Sequence, residues 1–168
     1  MTTSELKPLS HEALEAALER ALHYRLLNEP IEAESICRDV LRLESDNQLA
    51  LVTLLLSLSD QFEQHLSQSF SEAREIATRL GDEYSRIYYQ GLICERRARA
   101  LWRRGGLGAG PVTHDWLQKA MDLYQQAEPL LPEGNDDAIL RWNACVRTLR
   151  RHRDIRPAAR DTFEPLLE

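Results

Sequence analysis

The residues that could do chemistry in this 168-residue chain are scattered rather than gathered. His11-Glu12 begins like the helix of a zinc protease but lacks the second histidine one turn on. The run from Gly105 to Gly110 lacks the Lys-Ser/Thr with which a glycine loop holds nucleotide phosphates. His11, His23, His65, His114 and His152 are dispersed, and no nucleophile stands at an interpretable spacing from any of them. His114-Asp115 is the nearest approach to an acid–base pair, and a place at a helix start explains it more simply. Cys37, Cys94 and Cys145 are far apart, form no C-x-x-C pair and sit among apolar residues, so they read as buried free thiols rather than zinc ligands or disulfide partners. The expectation is a protein that is not an enzyme and needs neither metal nor cofactor.

Arginine is the remaining chemical resource. The formal net charge is −6, yet acids dominate only to about Glu83, while arginines gather between Arg86 and Arg104 and between Arg141 and Arg160; lysine occurs only at Lys7 and Lys119. The planar guanidinium fork suits carboxylate and phosphate. Arg147, Arg150, Arg151, Arg153, Arg156 and Arg160 could form a basic strip, and phosphate contacts need little more. The acidic balance and the lack of a recognised reading motif weigh against nucleic acid, which stands as the rival reading.

These residues must be positioned by helices, because no stretch shows sustained strand alternation. Ser10 caps a first helix, from about His11 to Leu27, with Leu9 stapled on Leu14; Pro30 opens a second, to Leu43. Asp46 caps a third, reaching about His65, and the Ser69–Glu72 capping box starts a fourth that ends near Leu80-Gly81. Asp82 caps a long fifth helix to Arg104, where the glycine-rich segment 105–111 forms the one clearly flexible loop, with Trp102 and Trp116 packed together to close it. Thr113 caps a sixth helix ending at Pro129 to Pro132, Asn135 caps a seventh from Asp136 to Arg151, and a weakly signalled eighth follows Pro157. The domains are a lead-in over 1–10, a helical domain over 11–152 and a tail or short helix over 153–168. Leu49 to Leu58, the longest apolar run, is broken by Thr53 and Ser57 and falls short of the roughly 20 residues of a membrane span. With a polar N-terminus that lacks a secretory signal, the expected location is the cytoplasm, without membrane contact.

One spacing occurs twice: Ala33, Cys37, Val40, Ser45 and Ala120, Tyr124, Ala127, Pro132 both read small, larger, small, stop. Close-packed helices need small side chains where their axes cross, so the repetition predicts stacked helix hairpins. Ala21 and Tyr24 before the first set, and Gly91 and Cys94 before the second, complete a pattern that resembles the tetratricopeptide repeat, a helix–turn–helix of roughly 34 residues. The resemblance runs from about Leu14 to Arg150 and departs from the family in a second unit stretched between Asp60 and Phe70, an enlarged third unit, and Trp142 where a small residue is usual. It implies an all-α array of antiparallel hairpins, about three irregular repeats and seven helices, with the last helix as a cap.

The resemblance also implies a concave groove lined by the first helix of each pair. Its spacing carries over to Leu18, Leu22 and Arg25, to Val52, Thr53 and Leu56, to Tyr88, Tyr89, Leu92 and Arg96, and to Ile139, Asn143, Val146 and Arg147. Arg96 and Arg147 would hold an acidic group, Asn143 a peptide backbone, and the apolar positions a helical segment. Leu18, Leu22 and Thr53 stand where some family members use Lys and Asn to clamp a C-terminal carboxylate, which disfavours that clamp. The expected function is a scaffold or adaptor module that binds a helical or acidic-apolar segment of a protein partner. Self-assembly is left open, including docking of the tail Phe163 to Glu168 in the groove.

Overall fold

A computed structural model describes residues 4–159. Seven α-helices account for the described chain: α1 Leu14–Leu26, α2 Pro30–Leu43, α3 Gln48–Asp60, α4 Phe62–Thr78, α5 Glu83–Arg104, α6 Ala109–Ala127 and α7 Asp137–Arg151. Each helix packs against the next as an antiparallel neighbour across a short connection, and α1 with α3, α3 with α5, and α5 with α7 also touch. The odd-numbered helices thus form a continuous layer. The fold is all-α, and no described helix is long and apolar enough to cross a membrane.

Local chemistry explains the ends. Pro30 occupies the first turn of α2, where its missing N–H leaves no bond unmade. The Asp82 carboxylate accepts the Ser85 N–H at 2.8 Å to start α5, and Asn135 Oδ1 accepts the Asp137 N–H at 2.8 Å to start α7. At α3 the cap is Asn47 rather than Asp46: Asn47 Oδ1 accepts the Ala50 N–H at 3.0 Å while its amide donates to Glu44. Ser10 makes no side-chain cap, and a 3₁₀ turn, His11–Ala13, precedes α1; Leu9 does pack on the cluster that holds Leu14.

Two expected boundaries moved because burial outweighed capping. The third helix stops at Asp60, and α4 begins at Phe62, so Ser69 lies buried inside it; Phe62, Leu66 and Phe70 fall one turn apart and all enter the core, carrying the helix through a kink at His65. Thr113 likewise lies inside α6, which starts at Ala109 after a loop shortened to 105–108. Gly110 permits that early start, since a Cβ there would lie 2.3 Å from the Asp154 carbonyl oxygen. The segment after α7 folds back over this point and buries Ile155. Residues 153–159 are not helical, and most of the expected eighth helix and the Phe163 to Glu168 docking segment lie outside the described residues.

Both copies of the repeated spacing face inward: Ala33, Cys37, Val40, Ala120, Tyr124 and Ala127 are all fully or almost fully buried. In the hairpin of α5 and α6 the axes approach so closely that a Cβ on Gly91 would sit 2.8 Å from the Tyr124 ring. Gly91→Ala should therefore lower stability by about 1–3 kcal/mol, the usual range for overpacking a filled core. A urea unfolding curve reads it, and an unchanged midpoint would show that the hairpin has slack at this crossing.

Candidate functional site

The layer of odd-numbered helices is tied by shared carboxylates. Asp60 at the end of α3 meets Arg25 of α1 at 2.8 Å and Arg96 of α5 at 2.5 Å. The Arg96 guanidinium also donates to Ser59 Oγ at 2.6 Å and to the Leu56 carbonyl at 3.3 Å. Burial pulls the Arg96 pKa below its ordinary value while the Asp60 charge works against that shift. Arg96, expected to await an acidic ligand, is instead committed to its own chain.

A second carboxylate lies deeper. Glu95 is only 3% exposed. Arg141 of α7 grips it with both arms of its fork, at 3.0 and 2.6 Å, Arg99 donates at 2.9 Å, and the Tyr124 hydroxyl of α6 donates at 2.8 Å. Burial, then the adjacent carboxylate, pushes the Tyr124 phenol far above its usual pKa, so it remains a donor. The signal that Glu95 is buried is its place one turn from Gly91 and one turn from Ala98, within a stripe of small core residues.

The groove residues expected from the resemblance differ widely in exposure. Leu18, Thr53 and Leu92 are buried, and half-buried Tyr88 packs against the core, stacked on Tyr84 at 5.5 Å and tilted against Tyr124 at 5.8 Å. Tyr89, Ile139, Asn143 and Val146 are half-buried, Leu22 and Arg147 are exposed, and Val52 and Leu56 lie half-buried on α3. Among the described residues, the side chains of Asn143 and Arg147 have no hydrogen-bond or ion partner, which separates them from Arg96.

Trp102 and Trp116 do not close the glycine loop on each other. Trp116 meets Phe70 edge-on at 5.3 Å, and the Arg97 guanidinium of α5 lies 4.1 Å from the Phe70 centroid and 4.3 Å from that of Trp116, so cation–π contacts join α4, α5 and α6. Trp102 instead lies 5.7 Å from His152. His114 Nδ1 and Asp115 stand 3.5 Å apart, with Asp115 exposed. Among the described residues no three His, Cys, Asp or Glu side chains converge as a metal-ligand group.

The three cysteines are free and buried. Burial pushes the Cys37 and Cys145 thiols up to about 12 from an ordinary 9.0, so neither is a ready nucleophile. The chain matches no protein-family model, no curated protein and no solved structure.

Two outcomes follow from this geometry. Tyr124→Phe removes one hydrogen bond and should lower stability by about 1–2 kcal/mol, whereas Arg141→Met leaves a buried carboxylate short of its main partner and should lower it by about 3–5 kcal/mol. Equal losses in denaturant titrations would contradict the hub role of Glu95. The thiols give a pH signature: because their folded-state pKa values are raised, their contribution is complete below pH 9 and is lost as pH climbs from about 9 towards 12. The alkaline fall in stability should be shallower in a Cys37→Ala/Cys145→Ala variant, and parallel curves would refute the assignment.

Proposed function

We propose that this protein is an interaction module whose binding surface is the layer formed by α1, α3, α5 and α7, and that it receives a helical or acidic-apolar segment of a protein partner. The observation that carries the reading is the charge distribution on that layer. Arg25 and Arg96 share Asp60, and Arg99 and Arg141 share Glu95, so each carboxylate faces two guanidinium groups. On a chain with net charge −6, four guanidinium groups of this layer thus surround two carboxylates, with Asp82 and Asp137 as the acids near Tyr89. Half-buried Val52, Leu56, Tyr89 and Val146 supply apolar area between the charges, and Asn143 and Arg147 supply unengaged polar groups at the α7 end. The stacked hairpins support a tetratricopeptide-like reading, in which such a layer is the usual place for a partner segment.

In this scheme Arg96 fixes the helices and Arg147 meets the ligand. Apolar contact would provide most of the affinity and charge would set orientation and association rate. The module would act as a scaffold or adaptor in the cytoplasm. A second reading rests on the exposure of Arg147, Arg150, Arg151, Arg153 and Arg156, which would contact nucleic-acid phosphates without regard to sequence.

Selection from a displayed peptide library is the direct test. Enriched peptides should combine leucine-type residues at helical spacing with Asp or Glu, and Arg147→Glu should weaken them by about tenfold, or 1.4 kcal/mol, without altering the thermal midpoint. Enrichment of peptides without acids, or affinity indifferent to Arg147→Glu, would sink the proposal. Saturable, strongly salt-dependent RNA or DNA binding in its place would favour the second reading.

A further inference from the structure

A cleft of about 380 Å³ opens where the C-terminal ends of α5 and α7 meet the beginning of α6. Its charged lining is unbalanced: Arg99, Arg103 and Arg151 face one carboxylate, Glu95, with His152 beside them. Glu95 is already gripped by Arg141, and Arg103 pairs outward with Glu63 on α4. Arg151 has no ion partner among the described residues, and Arg99 spends one amino group on Glu95 while more than half of its side chain stays exposed. Two net positive charges therefore remain on the lining when His152 is neutral.

An independent observation comes from Thr113. Thr113 is part of the cleft wall and only 1% exposed, and its hydroxyl has no hydrogen-bond partner among the described residues. Buried hydroxyls are almost always satisfied, so an orphan beside a basic cleft is a donor in reserve; closed to solvent as it stands, it would meet an oxygen bound there by rotation about the Cα–Cβ bond. Sequence reasoning assigned Thr113 to a helix cap, but the earlier start of α6 frees it from that duty. Trp102 adds an aromatic ring to the same lining, beside His152.

We propose that this cleft binds a small phosphorylated molecule. Arg99 and Arg151 take the phosphoryl oxygens, which also accept the Thr113 hydroxyl proton in a hydrogen bond, and Trp102 covers the organic remainder. A phosphoryl dianion matches the two unbalanced charges better than a single carboxylate does, and the guanidinium fork is shaped to hold it. The pocket accommodates a phosphate with a compact organic group. Thr113 and Arg151 are not residues on which the peptide-binding proposal depends, so either proposal can fail while the other stands.

The test is a titration of the full chain with inorganic phosphate, a panel of sugar phosphates and, for comparison, acetate. It follows the Trp102 indole N–H by NMR, assigned from a Trp102→Phe variant, with calorimetry in parallel. Saturable shifts are expected for the phosphates, tighter for the esters than for inorganic phosphate, with acetate weakest. Thr113→Val, which keeps shape and removes the hydroxyl, and Arg151→Gln, at an exposed position, should each weaken binding by about fivefold or more. Arg38→Gln, at a remote ion pair between α2 and α4, should leave it unchanged. No saturable shift at about 10 mM, well above the weak end of specific binding, would overturn the proposal. Equal affinity in the Thr113 and Arg151 variants would overturn it too.

Discussion

A carboxylate buried in the middle of α5 dictates how the last three helices meet. An ionised Glu95 away from water is unfavourable by several kcal/mol unless it is surrounded by donors, and the donors come from elsewhere: Tyr124 from α6 and Arg141 from α7. Only one rotation of each helix delivers both. Gly91, one turn earlier on the same stripe, sets the distance by admitting the edge of the Tyr124 ring. The same tyrosine thus reports both how close α6 comes and how it is turned, and α7, the end of the array, is held by charge as well as by Ala138 and Cys145.

The first half of the molecule uses a different balance. Leucines and alanines of α1 to α4 fill a continuous core, and the ties across helices lie near solvent: Arg25 and Arg96 on Asp60, and Arg38 on Glu72. Such pairs, only partly withdrawn from water, are individually modest. Their value is geometric, since Asp60 is a common anchor for α1 and α5 and keeps the odd-numbered layer in register. A surface held this way is already ordered, so the proposed partner segment would find little conformational freedom left to lose there. At Asp60 and Glu95 arginines outnumber their carboxylate partners, so rigidity and an excess of guanidinium groups arise from the same contacts.

Much of the fold was legible because helix signals are local. Pro30, Asp82 and Asn135 start helices where their side-chain chemistry says they should, and the twice-used small–larger–small spacing marked the buried seams of α2 and α6. The misplaced boundaries have a common cause. Ser69 and Thr113 carry sound capping chemistry, but tertiary burial of Phe62 and Leu66 in one case, and a glycine that admits the Asp154 carbonyl in the other, extended the helices past them. The candidate site was less legible, because a spacing rule places a residue on a helix without saying what it meets. Arg96 and Arg147 look alike in sequence; one is consumed by Asp60 across 36 residues and the other is exposed. Glu95 was hidden by the same limit, with its partners Tyr124 and Arg141 lying 29 and 46 residues away.

The account stands most directly on Glu95 as the joint of α5, α6 and α7. Hydrogen exchange read by mass spectrometry, comparing wild type with Glu95→Gln, tests it. Faster exchange confined to residues 109–127 and 137–151, with α1 to α3 protected as before, is the predicted result. Unchanged protection in α7, or an even loosening of the whole chain, would contradict it.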